Sequence, residues 1–178
     1  MTKQHNRLPH QLDPFRMAEM GTRIEGRIPF NQLRRLSEVL ANDAGQVLVE
    51  LRFDIDELGV PCVYGKLEAE LQLICQRCLE LYPYHVMHEI ALAWVRSSQE
   101  IDKLPSRYEP YLVEAIPLRL NDVIEEELLL TIPQMPMHSE NECSAAPGST
   151  ADKTEQQSAP VRENPFSILA KLKTISKE

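Results

Sequence analysis

From Val47 to Trp94 apolar and polar residues alternate with a period of two, and this pattern limits the fold more than any other feature of the chain. In the first stretch Val47, Val49, Leu51, Phe53 and Ile55 alternate with Glu50, Arg52 and Asp54. Beyond a turn at Glu57–Pro61, the set Val63, Gly65, Leu67, Ala69, Leu71, Leu73 and Cys75 shares one face, and Tyr64, Lys66, Glu68, Glu70 and Gln72 share the other. Tyr82, Tyr84, Val86, His88, Ile90, Leu92 and Trp94 form a third alternating set. Side chains of an extended strand point alternately to its two faces, so each stretch predicts a strand with one buried and one wet face. Three such strands joined by short turns predict an antiparallel meander. The Cys75-Gln-Arg-Cys78 step then forms the tip of its last hairpin, with Cys75 toward the core and Cys78 in the turn.

Around this sheet the apolar spacing becomes helical. Leu33, Leu36, Val39 and Leu40 predict one helix, with Asn31 as its N-cap. Leu120, Val123, Ile124 and Leu128 predict another, capped by Asn121 or Asp122, with Asp122 and Glu125 as a capping box. Thr22–Ile28 and Tyr111–Val113 read as further short strands. The fold class expected is α+β, an antiparallel β-meander or partial barrel packed with two or three helices, in a single domain over 21–138. Residues 1–20 form a polar arm that orders only by docking. Residues 139–163 are rich in Ser, Ala, Glu, Gln, Pro and Thr and predict a flexible linker. Residues 164–178 predict a short amphipathic helix in which Asn164 caps, Pro165 takes the first position, and Phe166 and Leu169 face a partner or the chain's own domain.

The three consecutive glutamates of the second helix invite a chemical reading and do not support one. Glu125, Glu126 and Glu127 are consecutive, so they point in three directions around a helix; early in it they favour the helix dipole. His88 lies on an apolar face and reads as an interior histidine with its bonds satisfied. Cys62, beside Pro61, reads as a small apolar residue. The chain has no GxGxxG, GxxxxGK[ST], GxSxG, HExxH or EF-hand motif. No catalytic residues are expected.

The chemistry-bearing constellation is Cys75, Cys78, His138 and Cys143. Thiolates and imidazoles are the ligands zinc prefers, and a CxxC turn can set both sulfurs about 2.3 Å from one ion. If the HxxxxC pair folds back, the four residues close one structural zinc site. Two other readings stand beside it: a CxxC redox pair, and ordinary residues without a shared function. The net charge of −8 argues against nonspecific coating of nucleic acid. That average conceals +4 over residues 1–36, −14 over 37–160 and +2 over 161–178. Any RNA contact therefore rests on Arg23, Arg27, Arg34 and Arg35. No stretch approaches the roughly 18 to 20 apolar residues that span a bilayer, and the first residues carry no apolar signal region. A cytoplasmic protein with reduced thiols is expected, with no membrane or small-molecule partner.

Five segments in order carry a family resemblance: LDPFRMAE (Leu12–Glu19), CQRCLELY (Cys75–Tyr82), Tyr108-Glu109-Pro110, EEELLLTIP (Glu125–Pro133) running into MPMHSENEC, and NPFSILAKLK (Asn164–Lys173). Together they resemble the YceD family of large ribosomal RNA subunit accumulation proteins over nearly the whole chain. The resemblance implies a noncatalytic role in the synthesis, processing or stability of the large-subunit (23S) ribosomal RNA. It implies as partners the RNA precursor, ribosomal proteins, or both. Some relatives carry a fuller second cysteine cluster after the helix, where this sequence has His138 and Cys143. The alternatives, from other classes, are a thiol-dependent redox protein using Cys75 and Cys78, and a protein–protein adaptor with a structural zinc site.

Overall fold

A computed structural model of the chain describes residues 8–145. In chain order the elements are β1 (Gln11–Leu12), α1 (Pro14–Glu19), β2 (Arg23–Pro29), a 3-10 turn (Phe30–Gln32), α2 (Arg34–Val39), β3 (Gln46–Ile55) and β4 (Pro61–Ile74). They continue as β5 (Leu81–Val95), α3 (Ser98–Ile101), β6 (Glu109–Leu112), β7 (Leu118–Arg119) and α4 (Leu120–Thr131). The α+β meander expected from the alternation is present as an open five-stranded sheet of order β2-β3-β4-β5-β6. Its first four strands are antiparallel neighbours; β6 then returns parallel to β5, pairing Trp94 with Tyr111. The β4–β5 hairpin is the longest ladder, running from Cys62 opposite Ala93 to Ile74 opposite Leu81.

One face of the sheet is dry. Val47, Val49, Phe53, Val63, Leu67, Leu71 and Leu73 are each at most 1% exposed, and Phe53 stacks on Trp94 with ring centroids 6.0 Å apart. Leu36 of α2, Phe15 of α1 and Leu120, Val123, Ile124 and Leu128 of α4 complete this core. Burying a side chain of this size contributes about 1.5 to 3 kcal/mol, which is why the alternation dictates which face the helices cover. The opposite face carries Arg23, Glu25, Arg52, Lys66 and Glu89; among the described residues only its far end is covered, where Cys62, Ala93 and Tyr108 form a second small cluster. There Asp56 accepts from Arg107 at 2.7 Å and from the Tyr108 hydroxyl at 3.1 Å, and Tyr108 also bonds Tyr64.

The N-terminal segment docks. Asp13 caps α1, accepting from the backbone N–H of Phe15 at 3.1 Å and Arg16 at 3.2 Å, with Pro14 at the first helical position. β1 pairs with β7, and Leu120 N donates to His10 O, so this segment is tied to the start of α4.

Both predicted caps are corrected. Asn31 lies inside the 3-10 turn, and α2 starts at Arg34 behind Leu33, which offers no side-chain cap. The cap comes instead from Glu125 on α4, whose Oε1 accepts from Leu36 N at 3.1 Å across 89 residues of sequence. α4 in turn begins at Leu120, ahead of Asn121 and Asp122, with Arg119 as a flanking residue that makes no cap bond. Glu125 is therefore not part of a capping box. It is 6% exposed and Glu127 5%, so both are buried and take specific partners beyond the helix dipole expected for them. Glu127 meets His88 instead, Oε2 to Nε2 at 2.8 Å, which satisfies that histidine as anticipated. Glu125→Ala would leave the Leu36 N–H buried without a partner. The expected cost is about 2 kcal/mol, while Glu125→Gln, which keeps an acceptor, loses much less; urea unfolding of the two variants checks this.

Candidate metal centre

The CxxC step closes the β4–β5 hairpin as a tight knuckle. Leu79 N donates to Cys75 O at 2.9 Å and Cys75 N to Glu80 O at 2.9 Å. This forces Leu79 to φ 64°, a left-handed conformation that L residues rarely adopt. Beyond α4, Pro133 and Pro136 keep the chain from continuing as helix and it runs back along the hairpin tip. Gln76 N donates to Pro136 O at 2.8 Å, and Arg77 Nη2 to His138 O at 2.9 Å. A turn at Ser139 follows, with Cys143 N donating to Ser139 O at 3.1 Å and Ser139 Oγ to Glu142 Oε2 at 2.8 Å. Composition alone placed this turn in the linker; in the structure Cys143 is 3% exposed and packs on Cys75, which is fully buried.

The ligand atoms of Cys75, Cys78, His138 and Cys143 all lie within 4.8 Å of one another. A tetrahedral ion with Zn–S bonds of about 2.3 Å holds its sulfurs about 3.8 Å apart, so the cluster has the dimensions of one four-coordinate site. His138 is oriented for it. Its Nε2 donates to Leu81 O at 2.9 Å, which turns Nδ1 toward the sulfurs, 3.3 Å from Cys78 Sγ. A carbonyl that selects the histidine tautomer is the outer-shell contact metal-binding imidazoles use. The Tyr82 ring meets His138 edge to face, centroids 5.3 Å apart, and shields one side.

The electrostatics favour a thiolate at Cys75 and the protonated form of His138, a proton that a bound ion would displace. Burial pushes the Cys75 thiol up, but the backbone N–H groups of Cys78, His138 and Arg77 outweigh it and bring the thiol down to about 5. The Cys75 thiolate raises His138, as does Cys78, against the opposing effect of burial. Three thiols and one imidazole with a preformed thiolate suit a soft divalent cation such as zinc. Cys62 takes no part: it lies in the second cluster, where burial raises its thiol.

The four candidate RNA-contacting arginines are exposed but are not brought to one surface. Arg23 and Arg27 project from the wet face of β2, whereas Arg34 and Arg35 open α2 on the helical side of the sheet. Arg23 is paired with Glu25 at 2.9 Å and Arg34 with Glu38 at 3.4 Å. Asn164, Pro165, Phe166 and Leu169 lie outside the described residues, as does the linker beyond residue 145. What residue-type reasoning missed is the pair of buried glutamates on α4: both face partners brought close only by folding. No helix among the described residues is long and apolar enough to cross a membrane.

Comparison with known proteins gives a consistent result. A family model described as "Large ribosomal RNA subunit accumulation protein YceD" matches residues 63–173. A curated protein from Haemophilus influenzae, named large ribosomal RNA subunit accumulation protein YceD, is 32% identical over 171 residues, covering 96% of this chain and 98% of its own length. No solved structure matches the chain.

Proposed function

Because the chain belongs to the YceD family of large ribosomal RNA subunit accumulation proteins, we propose that it promotes accumulation of the 23S ribosomal RNA in the cytoplasm as a noncatalytic assembly factor. The observation that carries this reading is the similarity across 96% of the chain to a protein of that name. In this reading the protein supports synthesis, processing or stability of the RNA by binding the precursor or its ribosomal proteins. The cysteine cluster serves it as a structural zinc site. Zinc there would join the β4–β5 tip to the chain after α4, contributing to folding without taking part in a reaction. Cys75, Cys78, Cys143 and His138 Nδ1 would hold it, and Leu81 O would keep the imidazole in place.

Among the arginines, Arg27 and Arg35 are exposed and make no ion pair within the described residues, so they are the better placed of the four to meet phosphate. Deleting the gene in its own bacterium and measuring 23S against 16S RNA tests the role. A fall in 23S RNA that the wild-type gene restores is expected; an unchanged ratio overturns it. Arg27→Glu/Arg35→Glu should weaken RNA association and lower its salt dependence by about one phosphate contact per residue. Retention of RNA by that variant would remove these arginines from the contact while leaving the role intact.

A further inference from the structure

A groove of about 620 Å³ lies where α4, β6 and the segment joining them meet. Its floor is apolar, from Leu92, Tyr111, Leu118 and Leu130. Two of its apolar residues reach solvent, Leu130 at 71% and Leu112 at 38% exposure. Its rim carries Glu109, Glu114, Asp122 and Glu126, and the one lysine or arginine lining it, Arg119, is already 3.7 Å from Asp122. Burial and then the charges of Glu126 and Asp122 push the Tyr111 hydroxyl upward, which reflects the same negative field.

The groove also borders an unpaired strand edge. Among the described residues, β6 pairs with β5 on one side and ends the sheet on the other. Pro110 within it is a residue that sheets confine to such edges. An edge strand beside an apolar floor accepts an extended peptide by strand addition, with pockets reading alternate side chains. The charge decides which peptide. Four uncompensated or weakly compensated carboxylates repel phosphate, so RNA is disfavoured here, and they attract lysine and arginine.

We propose that this groove binds an extended, lysine- and arginine-rich segment of a partner protein, its cationic residues alternating with apolar ones, in the manner of the basic arms that RNA-binding proteins carry. The inference deepens the ribosomal reading above and rests on it for the partner's class. It also divides the molecule's work, with protein bound at the acidic α4–β6 groove and RNA left to the basic surfaces.

The test is fluorescence anisotropy of the purified full-length protein with a short labelled peptide alternating lysine and valine. Saturable binding that weakens with salt is expected, with at least a tenfold loss in Glu109→Lys/Glu114→Lys/Glu126→Lys. These three side chains are exposed, so the variant should melt within a few degrees of wild type. Glu68→Lys/Glu70→Lys, on the wet face of the sheet, should bind as wild type. Equal loss in both variants, or none in the first, overturns the groove. So does tighter binding of a peptide of this chain's own residues 164–173, which would assign the groove to the chain itself, or a wild-type dimer that the triple variant breaks, which would assign it to a second copy. If the peptide binds as expected but deletion leaves 23S RNA unchanged, the groove stands and the ribosomal reading falls. If deletion lowers 23S RNA and the triple variant binds normally, the groove alone falls.

Discussion

Cys75→Ser is expected to remove one zinc per chain and to lower the melting temperature by about 10 °C or more. Cys75 is fully buried at the centre of the cluster, and serine is a poor ligand for a soft site. Cys143→Ser should do the same, because Cys143 packs on Cys75 and supplies one of the four candidate ligand atoms. Cys62→Ser should keep its zinc, since Cys62 packs with Ala93 and Tyr108. Elemental analysis of purified protein and melting with and without chelator measure both effects. The pH dependence has a fixed sign. Protons compete with the ion for the thiolates, and the Cys75 thiol is already held down, so the ion is retained at neutrality and released as pH falls into the acid range. A wild-type protein without zinc, its melting unmoved by chelator, would sink the metal. A fourth variant separates a redox pair, which predicts loss of function in Cys78→Ser with melting unchanged.

The second large effect is expected at Gly65→Ala, far from any ligand. Gly65 sits in mid-strand, between Leu51 on β3 and Ile90 on β5. A Cβ there would overlap the Glu50 carbonyl oxygen and lie 2.8 Å from Leu51 Cδ2. Backbone cannot yield as a side-chain tip can, so β3 and β4 must separate in the middle of the sheet. We expect a loss of about 3 kcal/mol or more, seen as a lower urea midpoint. Gly59→Ala makes the contrast. Gly59 has φ +80° with nothing within 4 Å of the added atom, so only backbone strain of about 1 kcal/mol is expected. Equal losses at the two sites would show that close strand approach is not what requires Gly65.

Much of this fold is legible because burial is periodic. Alternation over Val47–Trp94 predicts the long strands, their wet face and the hairpin at Cys75–Cys78, since a slip of one residue would turn every Leu and Val to solvent. The N-terminal helix carried a signal too, the Asp13-Pro14 pair, although polar composition around it reads as an arm. The parallel return of β6 carried none: four residues do not record which edge they join.

At the candidate site the residue types were readable and their meeting was not. Cys75, Cys78, His138 and Cys143 announce ligand chemistry by type and spacing, but sixty residues separate the two pairs. Only the course of the chain around α4 brings His138 Nδ1 to 3.3 Å from Cys78 Sγ. The same holds for Glu125 and Glu127. Their place early in the helix predicts acids favouring its dipole. Their actual partners, Leu36 N and His88 Nε2, lie on other elements. Local periodicity by itself determined the strands and the dry face, because side-chain direction in a strand depends on position alone, and residue type and spacing marked the candidate ligands. Tertiary structure decided which buried polar groups meet, because a buried donor or acceptor takes the partner that folding places within hydrogen-bond reach, whatever its distance along the chain.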